Sequence, residues 1–402
     1  MIRRFVIEIQ KIPIAWLQLR YQRNQTIAGI VGIFCITFLI FMQLGLRNAF
    51  LEGALQLPLN FNADIVLVSS LSSTVLQPVT FSSRPLYQAL ALKNVESVAP
   101  LYITSTQWYD RNQSLYRIRV NVIGIPSNIQ TLNLPGLKEN LEKLNKQKFA
   151  LFDRNARNEF SPIITEFNET GNSSAEVLAG ATGSLRELRV VGLFELGVNN
   201  AYDASFIINP TTFSQLFGRS LTKIDAGLIK LKPDANSDTN IEQTVEQLRK
   251  YLPANIKIFS KSELIAREKV FHESNSPMGF IFRFILIIAI IISIFILYQI
   301  LYVKVTHNLA NYATLKALGL NHNSLVSIVF QEAIFLVIAG YIPGAIISCL
   351  AYDYLVKTTK IFIQMTVESG LFVLGLVCMI CIISAGLSLL KVKDADPVDV
   401  FK

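Results

Sequence analysis

Cysteine is scarce in this sequence, and none of it lies where it could brace a polar domain. Of 402 residues only Cys35, Cys349, Cys378 and Cys381 are cysteine, and all four fall inside long apolar runs. The polar stretch from Arg47 to Pro277 has none, so whatever folds there folds without disulfides. Cys378 and Cys381 have the spacing of a metal clip but no second pair and no nearby histidine, which makes them small packing residues. Histidine is equally sparse: His272, His307 and His322 stand alone, none at ligand spacing from a cysteine or carboxylate. No glycine is followed by lysine, which excludes a Walker A phosphate loop and ATP hydrolysis by this chain. There is no Gly-x-Ser-x-Gly nucleophile elbow either. The expectation is a non-catalytic chain with no catalytic, cofactor or metal residues of its own.

Charge is scarce too, at 16% of residues, with a net of +8. Arg47 to Pro277 holds 24 Lys and Arg against 22 Asp and Glu. Most of the surplus therefore sits in or beside the apolar runs. That pattern reads as membrane topology and contact with anionic lipid, and argues against nucleic acid as a partner.

Apolar residues are abundant, 51% of the chain, and concentrated. Four runs are long enough to cross a bilayer: Thr26 to Gly45, Met278 to Val303, Leu325 to Leu350 and Leu371 to Leu390. Arg3, Arg4, Lys11, Arg20 and Arg23 precede the first, and Lys391 and Lys393 follow the last. The positive-inside bias puts both termini in the cytoplasm and Arg47 to Pro277 outside. No small-residue cleavage site follows the first run, so the start does not read as a signal peptide. Arg4, Glu8 and Lys11 share one helical face and Phe5, Ile9 and Ile12 another, an amphipathic helix ended near Pro13. Gly29 and Gly32 in the first span, and Gly340 and Gly344 in the third, permit close helix packing, and the first span is expected at or near a contact between two copies. Glu332, about two turns into the third span, is an ionisable group where such groups carry function or bond a neighbouring helix.

In the outer segment Asp64 to Ser69, Val98 to Trp108, Ala226 to Leu231 and Asn255 to Phe259 read as strands, with helices at Arg84 to Lys93 and Ile241 to Leu252. Two βαβ-like halves then pair into one α+β unit. Between them lies an insertion with a charged helix at Leu137 to Phe149, a Gly/Ser/Asn loop at Asn168 to Ser184, and strands at Leu188 to Phe194 and Ala204 to Ile208. The expected fold class is an α-helical membrane protein with four transmembrane helices and a large extracytoplasmic α+β domain on two stalk helices. The order is an N-terminal helix (1–25), first span and stalk (26–57), first half-domain (58–125), insertion (126–220), second half-domain (221–261), stalk and second span (262–303), cytoplasmic helix (304–324), third span (325–350), a short outer loop (351–370), fourth span (371–390) and a cytoplasmic tail (391–402).

Lys304 to Glu332 is a short cationic link between two spans, and Leu309, Tyr312, Ala313, Lys316 and Ala317 in it have helical spacing, with Gly319 as terminator. The run Asn311-Tyr-Ala-Thr-Leu-Lys-Ala-Leu-Gly, followed after a polar gap by Val329-Phe-Gln-Glu-Ala, resembles the coupling segment of MacB/FtsX-type ABC transporter permeases. Further fragments (Ala15-Trp-Leu-Gln-Leu, Phe41-Met-Gln-Leu-Gly, Ala63-Asp-Ile-Val-Leu, Phe152-Asp-Arg, Glu159-Phe-Ser-Pro and Val191-Gly-Leu-Phe) resemble the DevC type known from cyanobacteria. The resemblance implies porter (the two halves) and sabre (the insertion) subdomains, a homodimer in a bacterial inner membrane, and mechanotransmission. It implies a DevA-like ABC ATPase that binds the ATP and Mg, a DevB-like membrane-fusion protein, a TolC-like outer-membrane channel, and a glycolipid or other amphiphile as cargo. Asn308, Asn311, Tyr312, Leu315, Lys316, Leu318 and Gly319 would meet the ATPase, Leu315 and Leu318 as buried anchors. The alternatives are an FtsX-like signalling protein that activates a cell-wall hydrolase, and a lipoprotein-release permease.

Overall fold

The computed structural model describes residues 14–109, 117–180, 183–199, 201–235, 237–317 and 322–389. The expected amphipathic helix before Pro13, the C-terminal tail, and Leu318 and Gly319 lie outside these residues. The chain divides into two compact units. The first consists of residues up to 47, 280–354 and from 363 on; the second consists of 48–279 and 355–362.

A short helix, α1 (Ile14–Tyr21), leads into α2 (Arg23–Leu59), which runs unbroken through the first apolar stretch. Strands β1 (Ile65–Ser69) and β2 (Phe81–Ser82) follow, then α3 (Arg84–Gln88), β3 (Val95–Tyr109) and β4 (Arg117–Gly124). Next come α4 (Leu137–Asn140), β5 (Phe149–Asp153), α5 (Ser161–Thr170), β6 (Ser173–Ala179), β7 (Ser184–Phe194), β8 (Ala204–Ile208) and α6 (Pro210–Phe217). The second half-domain holds β9 (Lys223–Ile224), β10 (Ala226–Leu231), α7 (Asp238–Tyr251), β11 (Ile256–Ser260) and α8 (Lys261–Val270). Then come α9 (Pro277–His307), α10 (Leu309–Ala317), α11 (His322–Thr359) and α12 (Val367–Leu389). Among the described residues, helices α2, α9, α11 and α12 are the four long and apolar enough to cross a membrane.

Nine strands form one sheet, in the order β11-β1-β10-β3-β4-β8-β5-β7-β6. The expected halves interleave: β1 lies between β10 and β11, and β10 pairs with β3, all antiparallel. The long β3 then carries the sheet across to the insertion, pairing through its first half with β10 and through its second with β4. β6 returns to pair with β3 at Trp108 and Tyr109, so β3, β4, β8, β5, β7 and β6 close into a ring. No break in hydrogen bonding separates 58–125 from 126–220, because β4 belongs to that ring and is bonded along its whole length to β3.

Both faces of the sheet are covered, which is why β1 and β8 are buried at every position instead of alternating. One face packs Leu86, Phe160, Phe213 and Leu248 from α3, the turn before α5, α6 and α7. The other packs Leu57 of α2, Leu137 of α4 and Leu264 of α8.

Two expectations in the insertion need correction. The charged helix at 137–149 is one turn of α4 followed by a 3-10 segment, Leu141–Asn145. Leu137, Leu141 and Leu144 are drawn into the core, and the chain then swings through Lys148 (φ 63°) into β5. Lys143 Nζ donates to Asn140 Oδ1 at 2.7 Å. The stretch 168–179 is not a loop: α5 runs to Thr170, Gly171 caps it, and β6 begins at Ser173, its Ser173, Ala175, Val177 and Ala179 alternately buried. Small residues hid that period of two. Gly136 is needed where it stands, since its φ is +75° and a Cβ there would lie 2.7 Å from the Leu193 carbonyl oxygen.

Candidate functional site: the helix joining the second and third spans

Helix α9 ends because Asn308 turns the chain. Its backbone N–H bonds back to the Lys304 and Val305 carbonyls, and its carbonyl accepts the Tyr312 N–H that starts α10. A side chain that can bond its own neighbourhood suits this double role. The buried Asn308 amide also ties the joint to the segment between α1 and α2. Gln22 Nε2 donates to Asn308 Oδ1 at 2.8 Å, and Asn308 Nδ2 donates to Gln22 Oε1 at 3.2 Å and to the Lys304 carbonyl at 3.0 Å. Asn311 Nδ2 donates to Asn308 Oδ1 at 3.2 Å.

The inner face of α10 is packed by its own chain. Tyr312 and Ala313 are buried, and Tyr312 joins Val305, Ile328, Val329 and Leu389 in one cluster drawn from α9, α11 and α12. Leu315 is half-buried against the same cluster. The outer face is open: Thr306, His307, Ala310, Asn311 and Thr314 are exposed, at spacings that put them on one side of the turn and helix. Of the seven residues expected to meet a partner, Asn308 and Tyr312 thus point inward, Leu315 is shared, and Asn311 is open. The side chain of Lys316 lies outside the described residues, as do Leu318 and Gly319.

Lys304 is not a loop charge, as its place in the cationic link suggested. It lies within α9, 2% exposed, with its Nζ 3.2 Å from Glu332 Oε2 on α11, which is also 2% exposed. A buried lone charge is costly, and a buried pair removes most of that cost while fixing one register between two helices. Sequence reading singled out Glu332 and missed its partner. The signal was present: two opposite charges stand in apolar surroundings on either side of one short link.

The glycines sit where helices meet within the chain. A Cβ on Gly32 would lie 2.6 Å from Ile300 Cδ1, and one on Gly29 3.2 Å from Leu336. On Gly340 it would lie 2.7 Å from Ile33 Cβ, and on Gly344 2.9 Å from Thr37. Gly29 and Gly32 therefore pack against α9 and α11 within the chain. α12 completes the bundle, Ser384 Oγ donating to the Ile294 carbonyl at 3.0 Å and Tyr341 of α11 to the Gly370 carbonyl at 2.8 Å. Among the described residues no group of three or more His, Cys, Asp or Glu could hold a metal ion.

Residues 283–397 match a family model described as FtsX-like permease C-terminal. A comparison with curated proteins finds no match. Among solved structures, the periplasmic region of MacB from Actinobacillus actinomycetemcomitans aligns with a TM-score of 0.35 and 14% identity, over 53% of this chain and 94% of that one. The extracellular domain of the ABC-type transporter YknZ from Gram-positive bacteria aligns with a TM-score of 0.32 and 11% identity, over 49% and 99%. The matched stretch 283–397 contains Lys304, Asn308, Tyr312 and Glu332, though not Gln22.

Proposed function

We propose that this chain is the membrane permease subunit of an ABC-type, MacB-like exporter in a bacterial inner membrane, and that α10 is the cytoplasmic element on which a separate ATPase acts. The observation that carries this reading is the two-sided build of α10. Its inner face is locked to α9, α11 and α12 through Tyr312 and the adjoining Lys304–Glu332 pair, while its outer face is open. A helix held this way cannot shift alone. A push on Asn311 and Thr314 is delivered to two spans at once, and through Asn308 and Gln22 to the segment before α2. The match of 283–397 to FtsX-like permeases supports the same reading.

In the fuller assembly the ATP and Mg are bound by a DevA-like ATPase and the permease is a homodimer. A DevB-like fusion protein and a TolC-like channel continue the route, and the cargo is a glycolipid or other amphiphile. The half-domains act as porter and the insertion as sabre, moved by α2 and α8.

Reconstitution with the ATPase tests the reading. Leu315 is partly committed to its own chain, so the cleaner probe is Thr314→Arg on the open face. It should reduce ATPase stimulation at least tenfold with the permease still folded, while Lys357→Ala, at the far end of α11, should leave it unchanged. Full stimulation with Thr314→Arg would remove α10 from the contact.

A further inference from the structure

Between α8 and α9 the chain winds through a π-helical segment, Phe271–Asn275, and an extended Ser276. Such segments displace side chains from the regular helical register and are frequent at functional sites. His272, on this turn, is nearly enclosed, its side chain 12% exposed. Neither ring nitrogen has a hydrogen-bond partner among the described residues. Its Nε2 is 3.9 Å from Glu268 Oε2, too far to bond. The rings of Phe50 and Phe271 stand edge-on to the imidazole, with centroids 5.8 and 5.5 Å away. Burial lowers the His272 pKa from its ordinary value, so the ring is neutral, with one donor and one acceptor both unfilled. Leaving such groups buried and unmet costs about 1–3 kcal/mol each.

Beside this imidazole opens a pocket of about 290 Å³, lined mainly by Phe50, Ala54, Leu76, Phe271, Pro277 and Met278. The walls suit a hydrocarbon chain, and the volume is near the lower end for ligand sites. The charges nearby suit no ionic head. The Glu268 carboxylate is fully buried and accepts the Val75 N–H with both oxygens at 3.2 Å. The Arg267 guanidinium donates to the Ser72 and Ser73 carbonyls and lies 4.0 Å from that carboxylate. Neither of them lines the pocket, whose walls hold no Asp, Glu, Lys or Arg to pair with a charged head.

We propose that this pocket binds the alkyl chain of an uncharged, hydroxyl-bearing amphiphile, with the hydroxyl bonded to His272. The ligand's role as cargo rests on the permease reading above; its binding does not. The test is photolabelling of the full chain in lipid nanodiscs with a diazirine-bearing long-chain alcohol, adducts being mapped by mass spectrometry. Adducts are expected on the Thr74–Gln77 and Phe271–Met278 segments, suppressed at least tenfold by excess dodecanol. Ala201→Trp, at a half-buried lining position, should suppress them equally, while adducts on the exposed Phe295 of α9 persist. His272→Phe should leave the pocket labelled but remove the preference for the alcohol over the matching fatty-acid probe at pH 8. No adducts in the two segments, or adducts undiminished by Ala201→Trp, would overturn the proposal. ATPase stimulation measured in the same nanodiscs separates the two readings. Stimulation without adducts defeats the pocket alone, and adducts without stimulation defeat the permease reading alone.

Discussion

Removing either partner of the Lys304–Glu332 pair should destabilise the membrane unit far more than removing both. The Nζ–Oε2 separation is 3.2 Å and each residue is 2% exposed. At an effective dielectric of about 20, that separation corresponds to a Coulomb attraction of ~5 kcal/mol. Glu332→Gln leaves the Lys304 ammonium buried without its counter-charge, and Lys304→Met does the same to the carboxylate. Each single change should cost about 3–5 kcal/mol. In Lys304→Met with Glu332→Leu, two apolar side chains of similar size replace the pair, and stability should return to near the parent value or above it. The assay is a double-mutant cycle on denaturant-induced unfolding in mixed micelles, read by the fluorescence of Trp16, which packs on Phe335 of α11. A coupling energy above ~2 kcal/mol is expected. Single variants costing less than ~1 kcal/mol, or a double variant equal to the sum of the singles, would refute the idea that this pair sets the register of α9 against α11.

Helix packing gives a second test: Gly340→Val, whose Cβ has only 2.7 Å to Ile33 Cβ, should cost about 1–3 kcal/mol, whereas Gly375→Val on α12, with nothing within 4 Å, should be nearly neutral; equal losses would mean that Gly340 is not a contact. Tyr312→Ala empties a fully buried position in the cluster that holds α10 and should cost about 3–5 kcal/mol, read by unfolding as above; a loss under ~1 kcal/mol would mean that α10 is not anchored there. Burial raises the Glu268 carboxyl from 4.5 to about 7, against the Val75 N–H and Arg267, which lower it. Its protonated form is therefore favoured in the fold, and that stabilisation is present at pH 4.5 and lost as pH rises through about 7. Glu268→Gln should gain on the parent by up to ~3 kcal/mol between pH 5 and pH 8. The neighbouring His272, whose pKa is lowered, works the other way, losing stability as pH falls below its ordinary value. An advantage of Glu268→Gln that does not change with pH would contradict the raised carboxyl.

The long apolar helices were legible because length and charge exclusion report a membrane span without reference to tertiary contacts. The strands of the half-domains were legible for a related reason: β1 opens on four β-branched or aliphatic residues, and β10 is mostly aliphatic. What failed was local pattern overruled by packing. In α4 the run of charged residues suggested a helix over 137–149, yet three leucines at 137, 141 and 144 pulled the segment into the core and cut it short. In β6 alanine and serine carried an alternation too faint to register. At the joint, Asn308 and Tyr312 stood out by type, but their inward orientation depends on Gln22, nearly three hundred positions away, and on Leu389. No local rule connects those positions. The Glu268–His272 pair was invisible for the same reason, its setting being supplied by Val75 and Phe50.

Site-directed cross-linking tests most directly whether the open face of α10 is where an ATPase acts. The four native cysteines, Cys35, Cys349, Cys378 and Cys381, are free and are first replaced by serine or alanine. A single cysteine is then placed at Thr314, on the open face, or at Ala313, on the buried one. With the ATPase bound in nanodiscs, Thr314→Cys should cross-link to it through a short bifunctional maleimide, with a yield that changes when ATP is added. Ala313→Cys should not react. Failure of Thr314→Cys to cross-link in a complex that still hydrolyses ATP, or equal reaction from both faces, would contradict α10 as the coupling element.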